Sequence, residues 1–269
     1  MKNEQKLAGK WALILGASSG FGAACARALA AEGMNILGVH LDLKSTLPRA
    51  KAVIADIEKS GGRAVFFNTN AADARKRARV LKKIQTILAD DPQDTVYLML
   101  HSLAFVTLLP FIADDPSQAV NEAQMAMTLR VMAHSMVYWV QDLVRHDLLG
   151  RGSRIFSMTS GGSSRVVPHY GAVSAAKATL ESHTRQLALE LAPHGILVNA
   201  LMGGVTDTPA LRAIPGHALM VEEALKRNPS GRMTTPEDVA AALVALADPR
   251  MTWITGAVIP VDGGEYIVG

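Results

Sequence analysis

From residue 10 onward, short aliphatic runs alternate with longer segments in which apolar residues recur every three or four positions. The runs Trp11–Leu15, Asn35–Val39, Ala64–Phe67, Val96–Leu100, Arg154–Met158, Ile196–Leu201 and Val258–Val261 read as strands, most of them bounded by Gly, Asn or Asp. Helical period occupies 21–32, 46–60, 72–90, 116–147, 170–192 and 236–247. Strands that are nearly all apolar and separated by helices predict a parallel sheet covered on both faces. The expected fold is therefore α/β, a doubly wound parallel sheet of seven strands in a single domain spanning 1–269. One segment breaks the rhythm. In 203–235, Pro209, Pro215, Gly216, Pro229 and Gly231 punctuate short helical pieces after the sixth strand. Ligands of such sheets sit outside the carboxyl ends of the strands, so this segment is expected to be a substrate lid, with a rigid surface excursion as the alternative.

The composition is 49% hydrophobic but only 5% aromatic over 269 residues, so the core must be aliphatic. The single cysteine, Cys25, permits no intrachain disulfide and no cysteine-based metal centre, which fits a reducing compartment; no metal site is expected. Lys and Arg exceed Asp and Glu by 27 to 24, a small excess spread along the chain. The densest basic stretch, Arg75 to Arg79 with Lys82 and Lys83, has helical spacing and no aromatic neighbours, and reads as a solvated helix face rather than a nucleic-acid site. The start, Met1 to Lys6, is charged and leads into no signal-peptide layout, and the longest uncharged stretch, Thr95 to Ala113, is interrupted by His101, Ser102, Thr107 and Pro110. A cytoplasmic location without membrane partners is expected.

The first strand runs straight into Gly16-Ala17-Ser18-Ser19-Gly20-Phe21-Gly22 and then a helix of small residues. Glycines there let the backbone approach a pyrophosphate, whose charge is favoured by the free N–H groups of the helix N-terminus. Alone the pattern is weak, since any tight strand-to-helix turn favours glycine; on the first strand of a βαβ unit it points to a dinucleotide. At the end of the second strand, an acid would bond the ribose 2′-hydroxyl and a cation would accept a 2′-phosphate. His40 stands where the acid is expected, followed by Leu41, with Asp42 and Lys44 beyond. The balance leans to NADPH, with NADH as the alternative. Asn70-Ala71 after strand three could bond the adenine edge, or Asn70 could be an ordinary turn asparagine.

Strand five leads through Ser157-Met158-Thr159-Ser160-Gly161-Gly162 to Pro168-His169-Tyr170, and the next helix carries Lys177. Hydride transfer to an unsaturated or carbonyl substrate builds negative charge on oxygen, which calls for a weak acid near that oxygen and a cation on the cofactor ribose. Tyr170 and Lys177 supply both; a spacing of seven sets them two helical turns, ~10.5 Å, apart on one face. The ammonium is expected to lower the phenol's pKa. Ser160 is expected to orient the substrate oxygen, unless it simply forms the turn.

At these residues the chain resembles the short-chain dehydrogenase/reductase family over essentially its whole length, which implies a Rossmann-like fold. The resemblance rests on the loop Gly16 to Gly22, on Tyr170 and Lys177, on Val198-Asn199-Ala200 through Gly203-Gly204-Val205-Thr206-Asp207-Thr208, and on Val261-Asp262-Gly263-Gly264. It implies that Thr206 and Thr208 hold the nicotinamide carboxamide and that Gly203, Gly204, His101, Ser102 and Leu103 border the cofactor. Four departures narrow it: Val173 stands four before Lys177, His101-Ser102-Leu103-Ala104 replaces Asn-Asn-Ala-Gly, Thr128 stands at the relay-asparagine position, and Ser160 lies ten before the tyrosine. All four are similar to the enoyl-acyl-carrier-protein reductase branch. Many of its members carry a second tyrosine where Ser160 stands; its absence is similar to the third bacterial class, which uses NADPH. The resemblance thus implies reduction of a 2-enoyl thioester on acyl carrier protein by a homotetramer. Its interface would lie on the helices near 116–147 and 170–192, where Met132, Met136, Val137, Trp139 and Val140 extend beyond one apolar stripe. Met202, Leu211, Ile214 and Met220 are candidates for an acyl channel. A carbonyl reductase of the same fold, or a nucleotide-binding protein without chemistry, are the alternatives.

Overall fold

In a computed structural model, which describes residues 6–89, 91, 95–105 and 107–268, seven parallel strands form one sheet in the order β3-β2-β1-β4-β5-β6-β7. They are β1 (Trp11–Leu15), β2 (Asn35–His40), β3 (Ala64–Asn68), β4 (Val96–His101), β5 (Arg154–Ser160), β6 (Leu197–Gly203) and β7 (Val258–Val261). Chain order reverses between β1 and β4, so the carboxyl ends of these two strands open the crevice where ligands of such sheets bind. The single doubly wound sheet expected from the pattern is present.

Helices α1 (Gly20–Ala31), α2 (Leu47–Lys59), α3 (Ala74–Ala89), α6 (Gly171–Leu191) and α9 (Pro236–Ala247) cover the faces close to the predicted segments, whose residue 90 lies outside the described ones. Two aliphatic layers form the core, one on each face of the sheet. The segment expected as one helix over 116–147 is divided. Pro116–Gln118 is a separate 3-10 turn, and α4 (Glu122–Leu129) begins where Asn121 and Gln124 form a reciprocal capping box. A π-helical turn over Arg130–His134 then joins α4 to α5 (Ser135–Arg145). The lid segment holds two short helices, α7 (Pro209–Arg212) and α8 (His217–Arg227).

Met132, Met136, Trp139 and Val140, expected at a subunit interface, are buried in this chain's own core. The π turn contributes to this, since one wider turn rotates the apolar stripe that a uniform 3.6 period assigns. Among the described residues, no helix is long and apolar enough to cross a membrane.

Five strands continue past their aliphatic runs and end on polar or small residues, His40, Asn68, His101, Ser160 and Gly203. What anchors the sheet beneath them includes a buried cation. Arg154, at the start of β5, donates to the carbonyls of Leu246 (3.1 Å), Gly152 (2.5 Å), Asp248 (2.8 Å) and Met251 (3.3 Å), and its guanidinium lies 5.0 Å from the Tyr97 ring centre. Replacing it leaves those carbonyls without a charged donor. Arg154→Met is therefore expected to lose about 3 kcal/mol in denaturant unfolding; an unchanged midpoint would contradict this role.

Candidate active site

A cavity of about 590 Å³ lies along the carboxyl ends of the strands and is bordered by the loops that leave them. Its nucleotide end begins at Gly16, whose φ of +93° turns the chain sharply out of β1. The N–H groups of Gly16 and Ala17 both donate to Val39 O, at 2.8 and 3.1 Å. A Cβ on Gly16 would stand 2.2 Å from Ser102 O, and one on Gly22 would stand 2.1 Å from Gly16 O. Gly22 is thus required for packing α1 against the loop. Ser18, Ser19, Gly20 and Phe21 border the cavity. Ser19, the N-cap of α1, makes no side-chain capping bond, and the first turn holds no acid. The N–H groups of that turn are free to meet an anion, so the cradle fits the pyrophosphate of a dinucleotide.

At the other nucleotide end, His40, Leu41, Asn70 and Ala71 border the cavity. His40 does not stand alone in place of an acid. Its Nδ1 lies 2.7 Å from Asp42 Oδ2, and the Asp42 backbone is fixed by bonds to and from the Asn68 side chain, each 3.0 Å. Burial works against the Asp42 charge, yet hydrogen bonds from Thr46, Ser18 and His40 outweigh it and hold the carboxyl below the usual range. Lys44 is exposed and does not border the cavity. The Asn70 side-chain oxygen accepts from Ala72 N at 2.9 Å, a local turn that leaves its amide nitrogen for a ligand.

The reacting end is built where β5 meets α6. Tyr170 is the N-cap of α6, reached through His169 at a left-handed φ of +62°, and its hydroxyl lies 3.4 Å from Ser160 Oγ. Lys177, two turns on, is buried and donates from Nζ to Met158 O at 2.6 Å. Burial pushes this ammonium down to about 8, with Glu181 partly opposing the shift; Glu181 in turn accepts from Thr159 Oγ1 at 2.6 Å. The Tyr170 phenol is raised rather than lowered, because its burial outweighs the Ser160 hydrogen bond. The expected effect of the ammonium is absent since Lys177 is directed to the β5 carbonyl. The phenol therefore stays protonated at neutral pH, the state a hydrogen-bond donor needs.

After β4, Ser102 and Leu103 border the cavity, but the His101 side chain turns away from it. His101 Nε2 lies 2.8 Å from Ser135 Oγ, and Ser135 donates to Val131 O at 2.8 Å. Burial, helped by the nearby Lys177 charge, drives His101 down to about 3, so it is neutral. Its expected role beside the cofactor becomes one of bracing α5 against β4. Thr128, at the relay position of the resemblance, is also turned inward, 2.8 Å from Gln124 O and 2.9 Å from Thr107 Oγ1. The π turn instead brings Val131 and Met132 to the cavity.

Gly203, Gly204, Thr206 and Thr208 border the cavity as expected. A Cβ on Gly203 would meet the Phe21 ring at 2.9 Å. Thr206 donates to Gly204 O at 2.9 Å, and Thr208 caps α7 by accepting from Leu211 N at 3.2 Å. Met202, Leu211, Ile214 and Met220 form an apolar wall there, so part of the segment expected as a lid borders the site. Sequence reasoning missed Arg165, Arg227, Glu265 and Tyr266, which also border the cavity; no local spacing links the tail to the loop after β5.

Of the cations that border the cavity, Lys177 is the one lowered toward neutral pH, so affinity for a nicotinamide dinucleotide is expected to weaken as pH rises through about 8. Below that value the lysine is charged; above it the Lys177 charge is lost. Calorimetric titrations on either side should show this step in the parent protein and its loss in Lys177→Met, and a pH-independent affinity in the parent would contradict the assignment.

A family model described as enoyl-(acyl carrier protein) reductase matches residues 16–265. The chain is 29% identical over 266 residues to enoyl-acyl-carrier-protein reductase (NADH) of Aquifex aeolicus, covering 98% of this chain and 93% of the relative. It is 33% identical over 254 residues to 3-oxoacyl-acyl-carrier-protein reductase of a Synechocystis strain, covering 94% and 95%. A crystal structure of a Burkholderia cenocepacia short-chain dehydrogenase in complex with NADP superposes with a TM-score of 0.80 at 30% identity, covering 97% of this chain and 99% of that one. With the glycine cradle and the Tyr170 and Lys177 pair in the arrangement described, the chain belongs to the short-chain dehydrogenase/reductase family, a family of NAD(P)H-dependent oxidoreductases.

Proposed function

We propose that this protein reduces the 2,3 double bond of an enoyl thioester carried on acyl carrier protein, as a step of fatty acid elongation, with a reduced nicotinamide dinucleotide as hydride donor. The observation that carries this reading is the place of the phenol. The position four before Lys177 is Val173, a buried residue bordering the cavity, while the phenol comes from Tyr170 at the helix start. Three residues of helix move a donor by ~4.5 Å along the axis. In a ketone the hydride lands on the carbon that bears the oxygen, one bond of ~1.2 Å away. In an enoyl thioester it lands on the β-carbon and the charge collects on the thioester oxygen, about two further bonds of ~1.5 Å away. The displaced phenol suits the longer distance.

When bound, the dinucleotide supplies the hydride. Lys177 then holds the nicotinamide ribose while its Met158 bond keeps the ammonium in place. Tyr170, a half-buried phenol held in its protonated form, donates a hydrogen bond to the thioester oxygen and stabilises the enolate that forms there. Ser160, 3.4 Å away, orients that phenol. Leu211, Ile214 and Met220 exclude water from the acyl chain. At the adenosine end, the ionised Asp42 between Ser18 and His40 is positioned to accept a ribose hydroxyl and to repel a 2′-phosphate, which moves the preference from NADPH to NADH. The Aquifex relative, named for NADH, agrees with that choice. Assembly as a homotetramer belongs to the same reading, with the exposed Tyr138 of α5 and Leu189 of α6 on the faces left for contact.

The name of the Synechocystis relative favours a second reading, reduction of a 3-oxoacyl thioester. Parallel assays of crotonyl and acetoacetyl thioesters decide between them: the proposal requires faster reduction of crotonyl thioester, and turnover of acetoacetyl thioester alone would overturn it. Tyr170→Phe is expected to lower crotonyl turnover by about 10²- to 10⁴-fold while leaving cofactor affinity intact. Asp42→Asn is expected to raise kcat/KM with NADPH relative to NADH by about tenfold or more, because it removes a like charge; an unchanged ratio would show that Asp42 does not select the cofactor.

A further inference from the structure

Two phenols, not one, stand at the turn after β5. Gly161 and Gly162 are packed from different directions. A Cβ on Gly162 would stand 2.6 Å from the Tyr170 ring, and one on Gly161 would stand 3.3 Å from the ring of Tyr266. Tyr266 belongs to a short 3-10 turn, Glu265–Ile267, near the end of the chain, and it borders the same cavity as Ser160 and Tyr170. Its ring therefore lies one residue along the loop from Ser160, the position at which the family resemblance expects a second tyrosine.

The tail is fastened at several points. The Arg165 guanidinium donates to Tyr266 O and to Val268 O, the latter at 3.1 Å, and stacks 4.6 Å from the Tyr266 ring centre. Tyr266 N donates to Asp262 Oδ2 at 2.9 Å, and its hydroxyl lies 2.8 Å from Ser164 Oγ. The neighbouring Glu265 is buried and accepts from Val205 N at 2.9 Å, which joins the tail to the loop carrying Thr206. An aromatic ring so restrained loses little freedom when a ligand packs on it.

We propose that Tyr266 is a substrate-positioning residue: its ring forms the wall against which the amide-bearing arm of the thioester packs as it passes Ser160 to Ser164. The hydroxyl is engaged with Ser164, so the contribution is packing by the ring, and Tyr170 remains the donor to the substrate oxygen. Arg165 acts through Tyr266 by holding it in place. The proposal rests on the reading of the substrate as a pantetheine thioester, whichever acyl oxidation state is reduced.

The test uses the full-length protein with crotonyl and acetoacetyl pantetheine thioesters, which share the same arm, and measures KM, kcat and the Kd for NADH. Tyr266→Ala is expected to raise the thioester KM about tenfold, with kcat within about twofold and the NADH Kd unchanged. Tyr266→Phe keeps the ring and should restore the parent KM, and Arg165→Met should reproduce the alanine effect. An unchanged KM in Tyr266→Ala, or a rise in KM matched by a rise in the NADH Kd, would overturn the proposal. If the parent reduces acetoacetyl but not crotonyl thioester, the enoyl reading fails, and the same KM comparison on acetoacetyl thioester still decides the role of Tyr266.

Discussion

A buried ammonium is the constraint around which this site is arranged. Lys177 carries its charge into a nearly dry environment, where a cation costs several kcal/mol unless it is hydrogen-bonded and offset by other charge. The carbonyl of Met158 and the Glu181 carboxylate supply that compensation. Both depend on β5 running on to Ser160 and on α6 lying across its end. His101 must remain uncharged on the next strand, since a second cation there would add repulsion to the desolvation cost; its burial and the nearby Lys177 charge keep it so. The neutral histidine, the charged lysine and the protonated tyrosine are thus three states set by one packing arrangement.

The glycines around the cavity serve close approach more than flexibility. Gly16 and Gly22 bring α1 onto the β1 loop, and Gly161 and Gly162 let two phenols lie against one turn. The tail closes the far side of that turn through Arg165 and reaches the loop after β6 through Glu265. The lid, the loop after β5 and the end of the chain therefore form a single wall, so a change in the tail is felt at the reacting end.

Much of this was legible in the chain. Aliphatic runs separated by helical period are dictated by a sheet buried on both faces, and the resulting order places Gly16, Ser160, Tyr170 and Lys177 at one edge. Three features were not legible, each for a physical reason. The π turn at Arg130–His134 leaves the composition of its helix unchanged while rotating α5 relative to α4, so Met136 and Trp139 enter the core, and Thr128, before the turn, is bonded to Thr107 away from the cavity. The phenol of Tyr170 is governed by burial, which a motif does not report. Tyr266 and Asp42 acquire their roles from partners distant in sequence or from backbone fixed by another strand, Arg165 for one and Asn68 for the other.

In the proposed reaction the phenol at the start of α6 meets a thioester oxygen rather than a ketone oxygen. A crystal structure of the protein with NADH and a non-reactive crotonyl thioester analogue tests it most directly. The expected complex has the thioester oxygen within hydrogen-bond distance of the Tyr170 hydroxyl, the β-carbon facing the nicotinamide, and Lys177 on the ribose with its Met158 bond retained. A thioester oxygen directed away from Tyr170, with the phenol instead placed at the β-carbon, would contradict it.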